Sequence, residues 1–221
     1  MLPEPYYSTE NGVLYHGDCL EILPHLEPVD LVLTDPPYGI RVGGAKGILG
    51  GSNIVKPKEY GFCGWDLNRP PKECFDLMFL ASKNQIIFGG NYFIDCLKPT
   101  KCFIVWDKDN TGNFADCELA WTSFDSAVRK FKWKWNGIFK ELPEERHHPT
   151  QKPFGLFVQI LEKYSEQQHT VLDPFLGSGT TAVACERLNR KWIGIELEEK
   201  YCEISAKRIE AENRQLKIPG C

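Results

Sequence analysis

Residues 171–185, VLDPFLGSGTTAVAC, restrict the fold more than any other stretch of the chain. An apolar run ends in Asp173, Gly177 and Gly179 flank Ser178, and small and apolar residues of helical length follow. This reads as a strand, a glycine turn and a helix. A second β-prone run at 192–195 ends at Glu196. Strand, helix and strand in this order favour a parallel pair, because a crossover helix is the usual link between parallel strands.

The rest of the chain repeats the alternation. Further β-prone runs stand at 13–16, 31–34, 85–88, 101–106, 118–123 and 170–172. Helical patterns occupy 19–26, 72–81, 153–164, 180–188 and 200–216. Leu20, Leu23 and Leu26 recur at helical spacing, and Pro70 and Pro71 stand where helix 72–81 begins. The expected fold class is α/β, a mostly parallel sheet with helices on both faces. A length of 221 residues suits one such domain, or one with a small insertion. Residues 41–61 hold six glycines and no period, so a mobile loop is expected there.

The glycine turn has its own chemistry. Glycines let the backbone reverse sharply and approach a ligand closely. The helix behind the turn offers unspent N–H groups to an anionic group. Thr180 and Thr181 stand where a phosphate-binding Walker loop needs Lys and Ser or Thr. The pattern fits G-x-G-x-x-A ending at Ala182, and Glu196 caps the next strand, where a carboxylate can accept from both ribose hydroxyls. A G-x-G turn alone is equally a plain strand-to-helix connection. With strand, helix, strand and acid around it, an adenosine-containing cofactor is favoured.

Asp35-Pro36-Pro37-Tyr38 follows the apolar run 31–34 directly. Ligands bind at the carboxyl ends of strands in open α/β sheets. Two prolines stiffen the turn and remove two N–H donors. Asp35 and the Pro36 carbonyl are then two adjacent acceptors, and Tyr38 offers a flat face. That set suits a planar base with an –NH2 group; the structural alternative is a rigid loop with Tyr38 in the core.

Bulk properties exclude several classes. A net charge of −4 argues against a protein that coats nucleic acid with its whole surface, though not against a local basic face. Lys130, Lys132 and Lys134, interleaved with Phe131, Trp133 and Trp135, are the candidate for such a face; the other reading is a solvated edge strand with alternating lysines. Nine cysteines without a C-x-x-C pair read as reduced thiols rather than a disulfide or zinc framework. His147 and His148 lack partners at ligand spacing, so no metal is expected. Neither a signal peptide nor a run of about 18 apolar residues stands out, so a cytoplasmic protein without a membrane partner is expected.

Taken together, HGDCLEIL (16–23), LVLTDPPYG (31–39), FGGNYF (88–93), HPTQKP (148–153), DPFLGSGTT (173–181) and GIELEEKY (194–201) resemble the amino-methylating DNA methyltransferases. The match is to the permuted class, in which the catalytic motif precedes the cofactor motif. The resemblance implies a Rossmann-like sheet of seven strands with one antiparallel, and S-adenosylmethionine as methyl donor. It makes Asp35, Pro36, Pro37 and Tyr38 the catalytic motif. It makes Asp173, Phe175, Gly177, Ser178, Gly179 and Thr180 the glycine-rich cofactor motif, with Glu196 on the ribose. Asp18 and Cys19 match the segment near the cofactor adenine. Thr150, Gln151 and Lys152 match the segment over its methionine end, where Lys152 would meet the cofactor carboxylate. Larger members carry a separate target-recognition region; residues 125–147 leave space only for a short element, so a homodimer or a recognition subunit is a candidate partner beside DNA.

The expected reaction is methyl transfer to the 6-amino group of adenine in a base flipped out of the duplex, with Tyr38 stacking on it. In the family, Asp at the first motif position leans towards adenine and Ser towards cytosine. Methylation of the cytosine 4-amino group stays open, as do RNA as polymer and a non-catalytic partner subunit. A nicotinamide-dependent dehydrogenase would use the glycine turn and Glu196 but leaves DPPY and HPTQKP unexplained.

Overall fold

Alternate residues of the central strands face two separate cores. Leu31, Leu33, Ile86, Phe88 and Val171 point to one side and Val32, Ile87 and Leu172 to the other, all at most 1% exposed. Strands buried on both faces in this way need helices on both faces. The computed structural model describes residues 1–40, 67–109, 115–136, 147 and 150–216, with the backbone of short strand segments at 48–49, 58–59 and 139–140.

Nine strands form one sheet: β1 (Tyr7–Ser8), β2 (Gly12–His16), β3 (Val29–Thr34), β4 (Ser82–Phe88), β5 (Phe103–Asp107), β6 (Cys117–Thr122), β7 (Arg129–Lys132), β8 (Thr170–Asp173) and β9 (Lys191–Glu196). Their spatial order is β1-β2-β9-β8-β3-β4-β6-β5-β7. From β2 to β5 this is the expected seven-stranded sheet, with β6 antiparallel to both neighbours, β4 and β5. Two edge strands raise the count to nine. The short β1 folds back antiparallel on β2, and β7 runs parallel to β5.

One face is covered by α3 (Phe154–Tyr164), α4 (Thr180–Arg187) and α5 (Glu199–Leu216), and the other by α1 (Cys19–Ile22) and α2 (Lys72–Ala81). Helix α2 buries Cys74, Phe75, Met78 and Ala81, one stripe at helical spacing. Helix α5 buries Tyr201, Cys202, Ser205, Ile209 and Glu212 and leaves its charged side to solvent. The helix expected over 19–26 is shorter: α1 ends at Ile22 and a 3-10 turn, Leu23–His25, continues it with Pro24 near its start. Proline has no N–H to extend the α-helical ladder.

The loop expected at 41–61 falls, apart from the antiparallel pair Ile48–Leu49 with Lys58–Glu59, outside the described residues. The element expected at 125–147 is described in part. It supplies β7 and a two-residue antiparallel pairing of Trp135–Asn136 with Phe139–Lys140. Its aromatic residues pack inward. Trp106 Nε1 donates to the Trp133 carbonyl at 2.9 Å, and Trp135 is 6% exposed. The seven described cysteines form no disulfide. No helix among the described residues is long and apolar enough to cross a membrane.

Candidate active site

Four motifs far apart in the chain meet because their strands are neighbours. Asp18 follows β2, Glu196 ends β9, the glycine turn follows β8, and the Asp35 turn follows β3. All four strands are parallel, so all four carboxyl ends lie on one edge of the sheet. From β8 the chain crosses to β9 on one side, and from β3 to β4 on the other. The sheet order therefore reverses between β8 and β3, where clefts form in open α/β sheets. A cleft enclosing about 940 Å³ of empty space, part of it open to solvent, lies there. Among the expected residues, Asp18, Cys19, Asp35, Pro37, Thr150, Gln151, Lys152, Asp173, Phe175, Gly177, Ser178, Thr180 and Glu196 line it.

The glycine-turn half is held tightly. Gly177 and Gly179 have φ of 57° and 85°, a left-handed conformation that side chains resist. A Cβ on Gly179 would also lie 2.9 Å from Ser205 Oγ, which donates to the Gly177 carbonyl at 2.8 Å. Arg208, from α5, donates to the Ser178 carbonyl at 2.5 Å and to its Oγ at 3.0 Å. Gln151 Oε1 accepts from Ser178 Oγ at 3.3 Å and from the His147 N–H at 2.8 Å, strapping the segment before α3 across the turn. The Asp173 carboxylate accepts from Thr34 Oγ1 at 2.7 Å, Thr181 Oγ1 at 2.5 Å and the Phe175 N–H at 3.1 Å. Burial pushes its pKa up to about 6.

Glu196 accepts from the Gly177 N–H at 2.7 Å with one oxygen and from the Glu198 N–H at 2.8 Å with the other. Each carboxylate oxygen has a second lone pair, and the group lines the cleft. Burial raises its pKa to about 7. Asp18 caps α1 by accepting from the Leu20 N–H at 2.9 Å. Beside it, Cys19 is buried with its sulfur 3.6 Å from that of Cys74.

The other half gathers charge. Asp35 accepts from Tyr38 Oη at 2.6 Å with Oδ1 and from Lys152 Nζ at 2.5 Å with Oδ2. Lys152 is 6% exposed and so not a surface cation, and its ammonium pairs with Asp35 and Glu118. Glu118 Oε2 stands 3.3 Å from Lys152 Nζ, and Glu118 Oε1 2.5 Å from Lys108 Nζ. Burial raises the Asp35 pKa and Lys152 pulls it back. Burial works against the Lys152 charge, but Asp35 and Glu118 outweigh it and hold its pKa above the usual lysine value.

Tyr38 stacks on Tyr92, with ring centroids 4.6 Å apart and planes 15° apart. One of its faces is therefore already covered. Gly89, with φ of 67°, makes this possible, since a Cβ there would sit 2.2 Å from the Tyr38 ring. FGGNYF thus has a packing reason.

The candidate DNA lysines lie at the same edge of the sheet. Lys130 and Lys132 are on β7, 65% and 60% exposed, and pair with Asp107 and Asp109 at 3.1 Å each. Their positive charge is partly spent on β5 and the residues after it, as the edge-strand reading requires. Lys134 follows the strand and is half-buried.

Sequence reasoning missed Glu118, Arg208 and Tyr92. A carboxylate near the start of an otherwise apolar strand was the available sign for Glu118. Arg208 is one cation among many on a charged helix and gave no sign.

Known proteins resemble the chain in sequence and fold. Residues 121–207 match a family model described as DNA methylase. The chain is 27% identical to Type II methyltransferase M2.LlaDCHI of Lactococcus lactis subsp. cremoris, over 95% of this chain and 93% of the relative. It is 26% identical to Type II methyltransferase M2.DpnII of Streptococcus pneumoniae, over 96% and 95%. The structure of the M1.HpyAVI-SAM complex matches with a TM-score of 0.60 and 25% identity, covering 89% of this chain and 98% of that one. The PvuII DNA methyltransferase, described as cytosine-N4-specific, shares the fold with a TM-score of 0.62 at 20% identity, over 95% and 93%. Relatives that align along almost its whole length and a DNA methylase model matched across the glycine turn support reading the chain as an amino-methylating DNA methyltransferase.

Proposed function

We propose that the chain methylates the 6-amino group of adenine in DNA, with S-adenosylmethionine as donor. One observation carries the reading: the Asp35 carboxylate and the glycine turn end neighbouring strands and line one cleft. The cleft suits an adenosine-containing sulfonium. The close-packed turn at Gly177 and Gly179 lets backbone approach a ligand, Glu196 keeps lone pairs for ribose hydroxyls, and Asp18 and Cys19 border the same space. Bound there, the cofactor supplies an activated methyl group.

The protein's own residues act on the base. An exocyclic amine is a poor nucleophile because its lone pair is delocalised into the ring. Asp35 and the Pro36 carbonyl accept its two hydrogens, which favours a pyramidal nitrogen with its lone pair aimed into the cleft. Positioning lowers the barrier, and the fixed carboxylate stabilises the positive charge that grows on nitrogen. The proton lost from nitrogen passes to Asp35. A duplex base cannot reach such a cleft, so the base flips out. Tyr38 takes it on the face not covered by Tyr92, or Tyr92 swings away. Lys130 and Lys132 are the candidates to contact phosphates, once released from Asp107 and Asp109.

Adenine rather than cytosine rests on Asp35 opening the motif. The test is transfer of labelled methyl from S-adenosylmethionine to unmethylated genomic DNA, followed by digestion and mass detection of nucleosides. N6-methyl-2′-deoxyadenosine is expected. N4-methyl-2′-deoxycytidine would replace the base assignment, and no transfer to DNA would overturn the reading.

A further inference from the structure

We infer that Glu118 is a positioning residue that takes up the Lys152 ammonium when Asp35 turns to the substrate amine. The inference rests on the methyltransferase reading above. As the site stands, both Asp35 oxygens are engaged, one by Tyr38 and one by Lys152. A cation 2.5 Å from Asp35 also opposes the positive charge that must grow on the amine nitrogen beside it. For the reaction to proceed, that cation needs another acceptor, and Lys152, at 6% exposed, has little access to water.

Glu118 meets each requirement. Its Oε2 is 3.3 Å from Lys152 Nζ, so a short swing of the ammonium reaches it. That oxygen is buried and pairs with the ammonium at ion-pair distance, without a hydrogen bond of good geometry, so it can accept more strongly than it does. A buried acceptor left in this state is costly. Its Oε1 is anchored by Lys108 at 2.5 Å, and Lys108 lies over the Trp106 ring at 4.9 Å. The carboxylate therefore stays in place while the ammonium moves. The antiparallel run of β6 delivers Glu118 to this edge, because its first residues lie beside the carboxyl ends of β4 and β5. Lys108, Glu118, Lys152 and Asp35 alternate in sign, so the ammonium can exchange partners without changing the charge of the group.

The groups facing Asp35 are Lys152 from the segment before α3, Glu118 from β6, Tyr38 from its own turn and Asp173 from β8. The Glu118 charge raises the Asp35 pKa, so its loss moves the acid limb of the rate profile to lower pH. The experiment measures single-turnover methyl transfer to unmethylated DNA against pH, with calorimetric S-adenosylmethionine affinity, for wild type, Glu118→Gln and Glu118→Asp. In Glu118→Gln the plateau rate should fall about 10–100-fold, the acid limb should move down, and cofactor affinity should stay within about twofold. Glu118→Asp, which keeps the charge, should recover part of the rate. A plateau and limb equal to wild type would overturn the inference. So would a rate loss with an unmoved limb that tracks a lower melting temperature, the signature of a structural role. An inactive wild type would instead remove the methyltransferase reading on which the inference stands.

Discussion

Asp173 ends β8 and Asp35 follows the neighbouring β3 at the switch point; both line the same cleft, and they are held in opposite ways. Asp173 accepts from two threonine hydroxyls and one backbone N–H, all uncharged. Asp35 accepts from a tyrosine hydroxyl and an ammonium. The donors around Asp173 have fixed geometry: one belongs to β3, one to the turn and one to the first turn of α4. They cannot leave without stranding buried hydroxyls. The donors on Asp35 sit at the ends of long side chains, and Lys152 has Glu118 as a second acceptor in reach. The glycine-turn half is thus built to keep one shape, and the Asp35 half to exchange partners. On the proposed reading, a carboxylate serves architecture or chemistry here according to its donors.

The sharpest way to break this contrast is Asp35→Ala. Transfer should fall by roughly 10³-fold or more, the scale of losing a preorganised electrostatic partner. Calorimetric affinity for S-adenosylmethionine should stay within a few-fold of wild type. Full activity would show that Asp35 is architectural too. The mirror experiment is Glu196→Ala, which removes an acceptor from the other half. Cofactor affinity should fall by roughly 10–100-fold, as expected for lost hydrogen bonds to a charged group. Saturating cofactor should restore much of the rate, and a loss of rate at saturation would dissolve the division between halves.

That division was partly legible before any coordinates. The alternation of strands and helices, the glycine turn and DPPY state the fold and the cleft, because each depends on local chemistry: period, backbone freedom, a proline-stiffened turn. Of the edge strands, only the one at the lysines was open to the sequence, as one of two readings. The two-residue β1 is too short for a period, and β7 reads equally as a basic patch. The partner of Lys152 escaped for another reason. Glu118 reaches the site only through the antiparallel placement of β6 between β4 and β5. Nothing within seven residues of Lys152 or Asp35 in sequence encodes that contact. The Tyr92 ring over Tyr38 was hidden likewise, although Gly89 beside it carried the trace of a close approach.

A smaller effect separates the two carboxylates by stability. Asp173→Ala should cost about 1–3 kcal/mol in chemical denaturation, because the Thr34 and Thr181 hydroxyls and the Phe175 N–H lose their buried acceptor. The Asp35→Ala chain should lose less, since Glu118 still receives Lys152. Equal losses at both positions would mean that Asp35 is held as firmly as Asp173.

The smallest and most specific effect is in pH. Burial lifts Asp173 to about 6 and Glu196 to about 7, above the values near 4 of an unfolded chain. The folded protein therefore keeps protons that the unfolded chain has already lost. Their contribution to stability is full below about pH 4 and declines as pH rises through 6 and 7. Cofactor binding should run the other way, because ribose hydroxyls donate best to an ionised Glu196. Below pH 7 that carboxyl must first release its proton, so affinity should weaken by up to about tenfold per pH unit. Calorimetry and thermal unfolding between pH 5.5 and 8, a range taken to be roughly that in which these groups titrate, should show opposite slopes in wild type. In Glu196→Ala the affinity slope should vanish while the Asp173 part of the stability slope persists. A slope in affinity that survives the substitution would place the titrating group elsewhere in the cleft, with Asp35 the first to test.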